Sequence, residues 1–283
     1  MSSPAPSWFE HYWARAALQA RASGAAEVSF RGPQQSQVLA LTNEGLLLPD
    51  GQQLPWAVIE QVADNDSVCF EVVDGEAVPL RVYSEEFQRT YQLYPTEAGP
   101  PALLLSGFVM HRIRDVDPFE GAARMARALG KVRGRVLDTT TGLGYAAIVA
   151  ARTAQQVVTI ELDASVRQLA AKNPWSRELF ESSNIELRVG DSSLLIQEIP
   201  DSSFEAVLHD PPAINVAGEL YSAAFYEQVR RVLSRSGRFF HYIGDPASAS
   251  GGRTTKGVVE RLRAAGFTRV TPRPEAFGVL ASP

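Results

Sequence analysis

The stretch VLDTTTGLGYAA, residues 136 to 147, restricts the possible folds of this chain more than any other. The run RVLDTT (135 to 140) reads as a buried strand, Gly142 and Gly144 supply a tight turn, and a helix is expected from 145 to 153. A strand passed straight into a helix through a glycine turn is half of a βαβ unit, and such units require the alternation to continue. It does continue. A helix at 118 to 130 precedes the motif; strand 156 to 161, helix 163 to 172 stopped by Pro174, strand 185 to 189 and a short helix near 191 to 198 follow it. Strand 205 to 210, helix 219 to 234, strand 238 to 243 and helix 253 to 265, closed by Gly266, come next. Two last strands, near 267 to 272 and 276 to 281, make a terminal β pair. The pattern predicts an α/β fold with a Rossmann-like, doubly wound, seven-stranded sheet over residues 111 to 283.

Residues 1 to 110 read differently. A helix is expected at 5 to 22, carrying Trp8, Phe9, Tyr12 and Trp13, and then short β-like runs follow: VSF, QVLALT, GLLLP, SVCFEVV, AVPLRVY and YQLY. Asp50-Gly51 and Asp74-Gly75 suit hairpin turns, and Pro95, Pro100 and Pro101 break the pattern ahead of a boundary between 95 and 117. This front part is predicted to be a small β-rich domain with a role in substrate binding or in forming a homodimer. It is acidic, with 13 Asp/Glu against 5 Lys/Arg, whereas 111 to 283 hold 19 against 22. Such a surface either attracts a cationic acceptor or is simply solvated. The net charge of −5 argues against a duplex-binding protein, whose affinity comes from Lys/Arg neutralising phosphates. Cys69 is the only cysteine, which excludes an internal disulfide and a thiolate cluster, and the four histidines show no metal-ligand spacing, so no metal is expected. The start lacks a basic region followed by an apolar one, and no run approaches the ~20 apolar residues of a membrane span. A cytoplasmic protein with no membrane partner is expected.

Within the constraining motif, Asp138 stands before the glycines, where a carboxylate meets the cationic amino group of S-adenosylmethionine (SAM) but gives no help to a pyrophosphate. Gly142, Gly144 and Ala147 also match a dinucleotide fingerprint, with Glu161 about where a ribose-binding acid falls, so a nicotinamide dehydrogenase is a second reading of the same turn. Glu161 ends the second strand, suited to ribose hydroxyls. Asp191 follows the third, suited to the adenine amino group or to capping a helix. The fourth strand ends in His209-Asp210-Pro211-Pro212. Two prolines there remove N–H donors and leave an acceptor-rich rim, suited to holding an amine and aiming its lone pair. Trp175 has two readings, adenine wall or core aromatic. Met110-His111-Arg112 with Arg114 is either a cover for the cofactor or a surface basic cluster. His241 and Tyr242, beside Gly244-Asp245-Pro246, are candidates at the end of strand five.

In order and spacing, VLDTTTGLGYAA, TIELD, VGDSS and HDPP resemble the motifs of class I SAM-dependent methyltransferases across residues 117 to 283. LLLSGFVMHRIRDVDP, KNPWSRELF, HDPPAINVAGELYSAAFYEQVRRVL and GRFFHYIGDP are similar to a predicted archaeal-type methyltransferase family related to spermidine synthases, and that likeness extends into the front domain. The resemblance implies a SAM-binding enzyme in which Asp138, Thr139, Gly142, Leu143, Gly144, Tyr145, Glu161, Leu162, Asp191 and Ser192 bind the cofactor. It also implies that Asp210, Pro211 and Pro212 sit at the transfer point. Enzymes that methylate bases carry Tyr or Phe after this motif, whereas this chain has Ala213, so a small-molecule or amine-bearing acceptor is favoured over a nucleobase unless Tyr221 or Phe225 supplies the ring. Aminopropyl transfer from decarboxylated SAM is the alternative; its enzymes carry a GGGDG turn where this chain has TTTGLGY.

Overall fold

The computed structural model describes residues 8 to 245 and 247 to 283. The described part of the chain divides into two compact units, one running to Pro118 and including Ser165–Arg177, the other formed by Phe119–Ala164 and Glu178–Pro283.

The first unit opens with β1 (Trp8–Phe9), α1 (His11–Ala22), β2 (Glu27–Phe30), β3 (Gln37–Ala40), β4 (Gly45–Leu47), β5 (Gln53–Pro55) and α2 (Trp56–Ala63). It continues through β6 (Phe70–Val73), β7 (Glu76–Pro79), β8 (Arg81–Ser84), β9 (Arg89–Tyr94), β10 (Ala102–Leu105) and β11 (Phe108–Val109). The expected hairpins are present: β4 pairs with β5 around Asp50-Gly51, and β6 with β7 across Asp74-Gly75. Strands β8 to β11 form an antiparallel sheet in the order β11-β10-β9-β8.

Two expectations need correction here. Trp8 and Phe9 are strand, paired with Glu71 and Phe70, and the helix begins only at His11 because the Glu10 carboxylate caps it, accepting from the Tyr12 and Trp13 amides at 2.8 and 2.9 Å. Residues 5 to 7 of the expected helix, like Pro246, lie outside the described residues. Helix α2 was not anticipated, although Trp56, Ile59, Val62 and Ala63 form its buried face at helical spacing. The segment 165 to 177 belongs with this unit: Trp175 is buried edge-on against Trp8 with ring centres 5.6 Å apart, and Lys172 pairs with Glu71 at 2.6 Å. Trp175 is thus a core aromatic.

The second unit contains α3 (Pro118–Leu129), β12 (Arg135–Asp138), α4 (Tyr145–Ala151), β13 (Gln156–Glu161), α5 (Ala164–Lys172), α6 (Arg177–Glu181), β14 (Ile185–Val189) and α7 (Ser192–Glu198), apart from the part of α5 and α6 that clusters with the first. It ends with β15 (Phe204–His209), α8 (Ala223–Val232), β16 (Leu233–Tyr242), α9 (Ala249–Ala264), β17 (Arg269–Arg273) and β18 (Gly278–Ser282). The seven strands lie in the order β14-β13-β12-β15-β16-β18-β17; β18 runs antiparallel between β16 and β17, and the rest of the ladder is parallel. This is a Rossmann-like sheet of the methyltransferase type, as the strand pattern implied. The buried faces of β12, β13, β15 and β16 supply Leu137, Val158, Ile160, Val207 and Phe239, and α8 and α9 cover them with Tyr226, Val229, Val258 and Leu262. Each such side chain contributes about 1.5–3 kcal/mol on burial. Continuous apolar strands need no alternation because helices cover both faces.

The order reverses at β12, whose neighbours are β13 on one side and β15 on the other. Chain connections diverge from that point, opening a crevice at the carboxyl ends of these strands. Those ends carry Asp138, Glu161 and, one residue beyond β15, Asp210.

Candidate cofactor and transfer site

Asp138 is fully buried at the end of β12. Its Oδ2 accepts from the Thr159 hydroxyl at 2.8 Å, and since that hydroxyl spends its one proton there, Thr141 donates to Thr159 across their 2.6 Å contact. Among the described residues Asp138 Oδ1 has no hydrogen-bond partner. Burial pushes its pKa up to about 7, opposed by the Thr159 hydroxyl and the Thr140 amide and reinforced by the nearby charge of Asp210. A buried carboxyl oxygen without a partner can still accept a hydrogen bond or pair with a cation.

The turn after Asp138 is built from glycine for two separate reasons. Gly142 and Gly144 both sit at positive φ, +53° and +79°, which disfavours any side chain. A Cβ on Gly144 would also meet Leu179 Cδ2 at 2.6 Å, whereas one on Gly142 would enter open space. The backbone at Gly142 is therefore approachable. Its amide donates to Glu161 Oε2 at 2.8 Å while the Asp163 amide donates to Oε1 at 3.1 Å, so Glu161 ties two strand ends together and keeps one further lone pair on each oxygen. Burial pushes Glu161 up to about 7 against these two bonds, with Asp163 and Asp138 adding to the rise.

The other expected cofactor residues fall into distinct settings. Leu143 and Tyr145 are buried, the latter with its ring 5.2 Å from that of Phe119, so what they can offer is the backbone of the turn. Thr139 is buried, and its carbonyl accepts from the Ser192 hydroxyl at 2.5 Å, which joins the exits of β12 and β14. Asp191 caps α7, accepting from the Ser193 amide at 2.7 Å. Leu162 is 41% exposed beside Glu161, an apolar surface at the mouth of the crevice.

Asp210 is half-buried, and desolvation raises its pKa to about 7. Pro211 is buried and Pro212 half-buried. The rim is less acceptor-rich than the sequence suggests, because the Tyr221 hydroxyl already donates to the Pro212 carbonyl at 3.1 Å. Tyr221 and Phe225 are buried against His209, at ring distances of 6.4 and 5.0 Å, so both are core rings. Ala213, Ile214 and Asn215 form the exposed tip of this loop. His241 is buried with its Nε2 3.0 Å from the Tyr226 hydroxyl. In the first unit His111 Nδ1 accepts from the Leu103 amide at 3.0 Å, and burial lowers its pKa to about 4, which keeps the ring neutral.

Sequence reasoning passed over Thr159 and gave His209 no role. Thr159 is one polar residue inside an apolar strand, and that anomaly was the available signal. A cavity of about 280 Å³ opens beside Arg135, Glu198 and Phe204 and shares no residue with the carboxylate edge at the strand ends. Among the described residues no group of three or more His, Cys, Asp or Glu is placed to hold a metal, and no helix is long and apolar enough to cross a membrane.

The strand order, the glycine turn and the carboxyl groups of Asp138, Glu161 and Asp210 at the switch point belong to a Rossmann-like α/β protein of the fold shared by spermidine synthase and class I methyltransferases. A spermidine synthase crystallised with the transition-state analogue AdoDATO superposes at a TM-score of 0.61 and 15% identity, covering 76% of this chain and 75% of that one. No family model matches the chain. It is 38% identical over 235 residues to the uncharacterized protein MJ1233 of Methanocaldococcus jannaschii, covering 82% of this chain and 79% of that protein, and it belongs to the same family. A polyamine aminopropyltransferase 2 of Streptomyces coelicolor is 32% identical over 62% of this chain, but the match spans only 33% of that longer protein.

Proposed function

We propose that this protein is a SAM-dependent methyltransferase that alkylates an amine nitrogen on a small molecule or amine-bearing group. The observation that carries the reading is the buried Asp138, with one oxygen lacking a partner, next to two further carboxyl groups whose pKa values are raised to about 7. An anionic edge of this kind fits a cationic donor and an amine acceptor, and it disfavours the pyrophosphate of a dinucleotide. The residues present fit an adenosyl sulfonium. Asp138 Oδ1 is suited to its ammonium group, Glu161 to its ribose hydroxyls, the Gly142 backbone to close approach, and Asp191 and Leu162 to its adenine. When bound, the sulfonium supplies an electrophilic carbon and a neutral thioether leaving group.

The chain's own part is positioning and proton removal. Asp210, with its pKa near neutrality, accepts a proton from an ammonium acceptor and leaves the nitrogen lone pair available. Pro211 and Pro212 hold the loop without amide donors that would compete for that lone pair. Residues 1 to 110 would bind the acceptor or join two copies.

A second reading, aminopropyl transfer from decarboxylated SAM, is favoured by the aminopropyltransferase relative and by the spermidine synthase fold. Calorimetry with SAM, decarboxylated SAM and NADH, repeated on Asp138→Ala, separates the possibilities. Tight SAM binding lost in the variant supports methyl transfer, preference for decarboxylated SAM moves the assignment to aminopropyl transfer, and binding of NADH alone overturns both.

A further inference from the structure

His209 is the residue on which the two halves of the site converge. The imidazole is buried at the end of β15, with Nδ1 2.5 Å from the Thr139 hydroxyl and Nε2 3.0 Å from the Leu220 carbonyl. Thr139 follows Asp138 directly in the cofactor turn. Leu220 closes the loop that begins at Asp210-Pro211-Pro212, and the neighbouring Tyr221 holds the Pro212 carbonyl. One ring thus joins Thr139, 70 residues before it in sequence, to Leu220, 11 residues after it.

The bonding assigns the proton. A carbonyl only accepts, so Nε2 carries hydrogen toward Leu220 and Nδ1 is left as an acceptor; the Thr139 hydroxyl, 2.5 Å from Nδ1 and 3.3 Å from the Leu208 carbonyl, gives its proton to the nearer ring nitrogen. The reverse tautomer would put two lone pairs face to face at 3.0 Å. Burial lowers the imidazole pKa to about 3, and the ring stays neutral throughout the useful pH range. Thr139 and Leu220 thus favour the same tautomer, and one ring joins the turn to the loop.

We infer that His209 is a positioning residue that couples the Asp138–Thr139 turn to the Asp210–Tyr221 loop, so that filling the turn orders the transfer loop. The coupling to a filled turn rests on the adenosyl-site reading above; the clip itself does not. Inside the loop, the Val216 and Ala217 amides bond to the Ala213 carbonyl at 2.7 and 3.2 Å, and the Leu220 amide bonds to Ala217 at 3.1 Å. These three amides are reporters of loop order.

The test is site-resolved amide hydrogen exchange on the full chain, with Thr139→Val, Thr139→Ser and His209→Phe, without ligand and with S-adenosylhomocysteine. Losing one buried hydrogen bond should speed exchange at the three reporters roughly five- to tenfold in Thr139→Val and His209→Phe, while Thr139→Ser, which keeps the hydroxyl, stays within about twofold of wild type. The ¹⁵N resonances of His209 should show a protonated Nε2 in wild type and lose that pure tautomer in Thr139→Val. Reporter exchange in Thr139→Val equal to wild type overturns the clip, and this comparison decides the matter even where His209→Phe does not fold. With S-adenosylhomocysteine, reporters should slow in wild type and Thr139→Ser but not in Thr139→Val; binding without slowing in wild type overturns the coupling. Absence of binding to wild type sinks the adenosyl reading instead, and the ligand-free comparison still judges the clip.

Discussion

At the scale of single residues, Asp138 sets stability against function. Its pKa rises from 3.8 to about 7 on folding, so between roughly pH 4 and 7 the folded chain retains a proton that the unfolded chain releases. Stability contributed by this group is accordingly full at low pH and declines as pH rises through that window. Asn at 138 cannot ionise and keeps an acceptor for Thr159. Asp138→Asn should therefore gain on wild type between pH 5 and pH 8, by as much as ~3 kcal/mol, while its affinity for an adenosyl ligand falls tenfold or more. Denaturant titrations at the two pH values measure the first effect and calorimetry the second; a stability difference that does not change with pH would refute the buried-carboxyl account. Gly144 gives a simpler case. Ala there meets Leu179 and requires an unfavourable φ, so Gly144→Ala should lower stability by about 1–3 kcal/mol, read as a shift of the urea midpoint.

Among the elements, those that pack locally were legible in the sequence and those fixed by distant partners were not. Strands β12, β13 and β15 could be read because helices on both faces make them continuously apolar, and α7 because Asp191 stands at its start. Their ends were less accurate. The strand expected to reach 140 stops at Asp138, where Thr139 turns its amide to the Leu208 carbonyl, and the helix expected at 219 to 234 is interrupted at Ser222, whose side chain caps α8. Leu233, expected in that helix, already belongs to β16. At the site, the three carboxylates could be named from their places after strands, but the bonds of Thr159, Tyr221 and His209 could not, since each depends on a residue remote in sequence or across the loop. Asp191 shows how a capping role and a binding role can be separated. Asn caps as well as Asp, so Asp191→Asn should leave stability within ~0.5 kcal/mol, whereas Asp191→Ala should lose about 1 kcal/mol. If Asp191 also accepts from adenine through a charged carboxylate, both substitutions weaken adenosyl binding. Thermal melts and calorimetry on the same two variants distinguish the roles, and unchanged affinity in both would leave Asp191 a cap alone.

For the whole molecule, the sign of proton exchange on binding reports what the crevice was built to hold. Asp138, Glu161 and Asp210 all sit near pKa 7 before a ligand arrives, so each is partly protonated at neutral pH. His111 and His209 are pushed down to about 4 and 3, and His241 is pushed down as well, so these three imidazoles remain neutral from pH 6 to 8. Glu10 in the first unit is also raised to about 7 by burial and is held by two amides of α1. A cationic ligand favours ionised carboxylates and must expel protons as it binds. Calorimetry at pH 7 in buffers of different ionisation enthalpy should show release of about one proton per ligand, and affinity should rise roughly tenfold from pH 6 to 7 before levelling above 8. A pyrophosphate ligand at the same edge would do the opposite, taking protons up to lessen repulsion. Proton release shared by SAM and decarboxylated SAM would support a cation-binding edge for either transfer reaction; proton uptake would remove the physical basis for both.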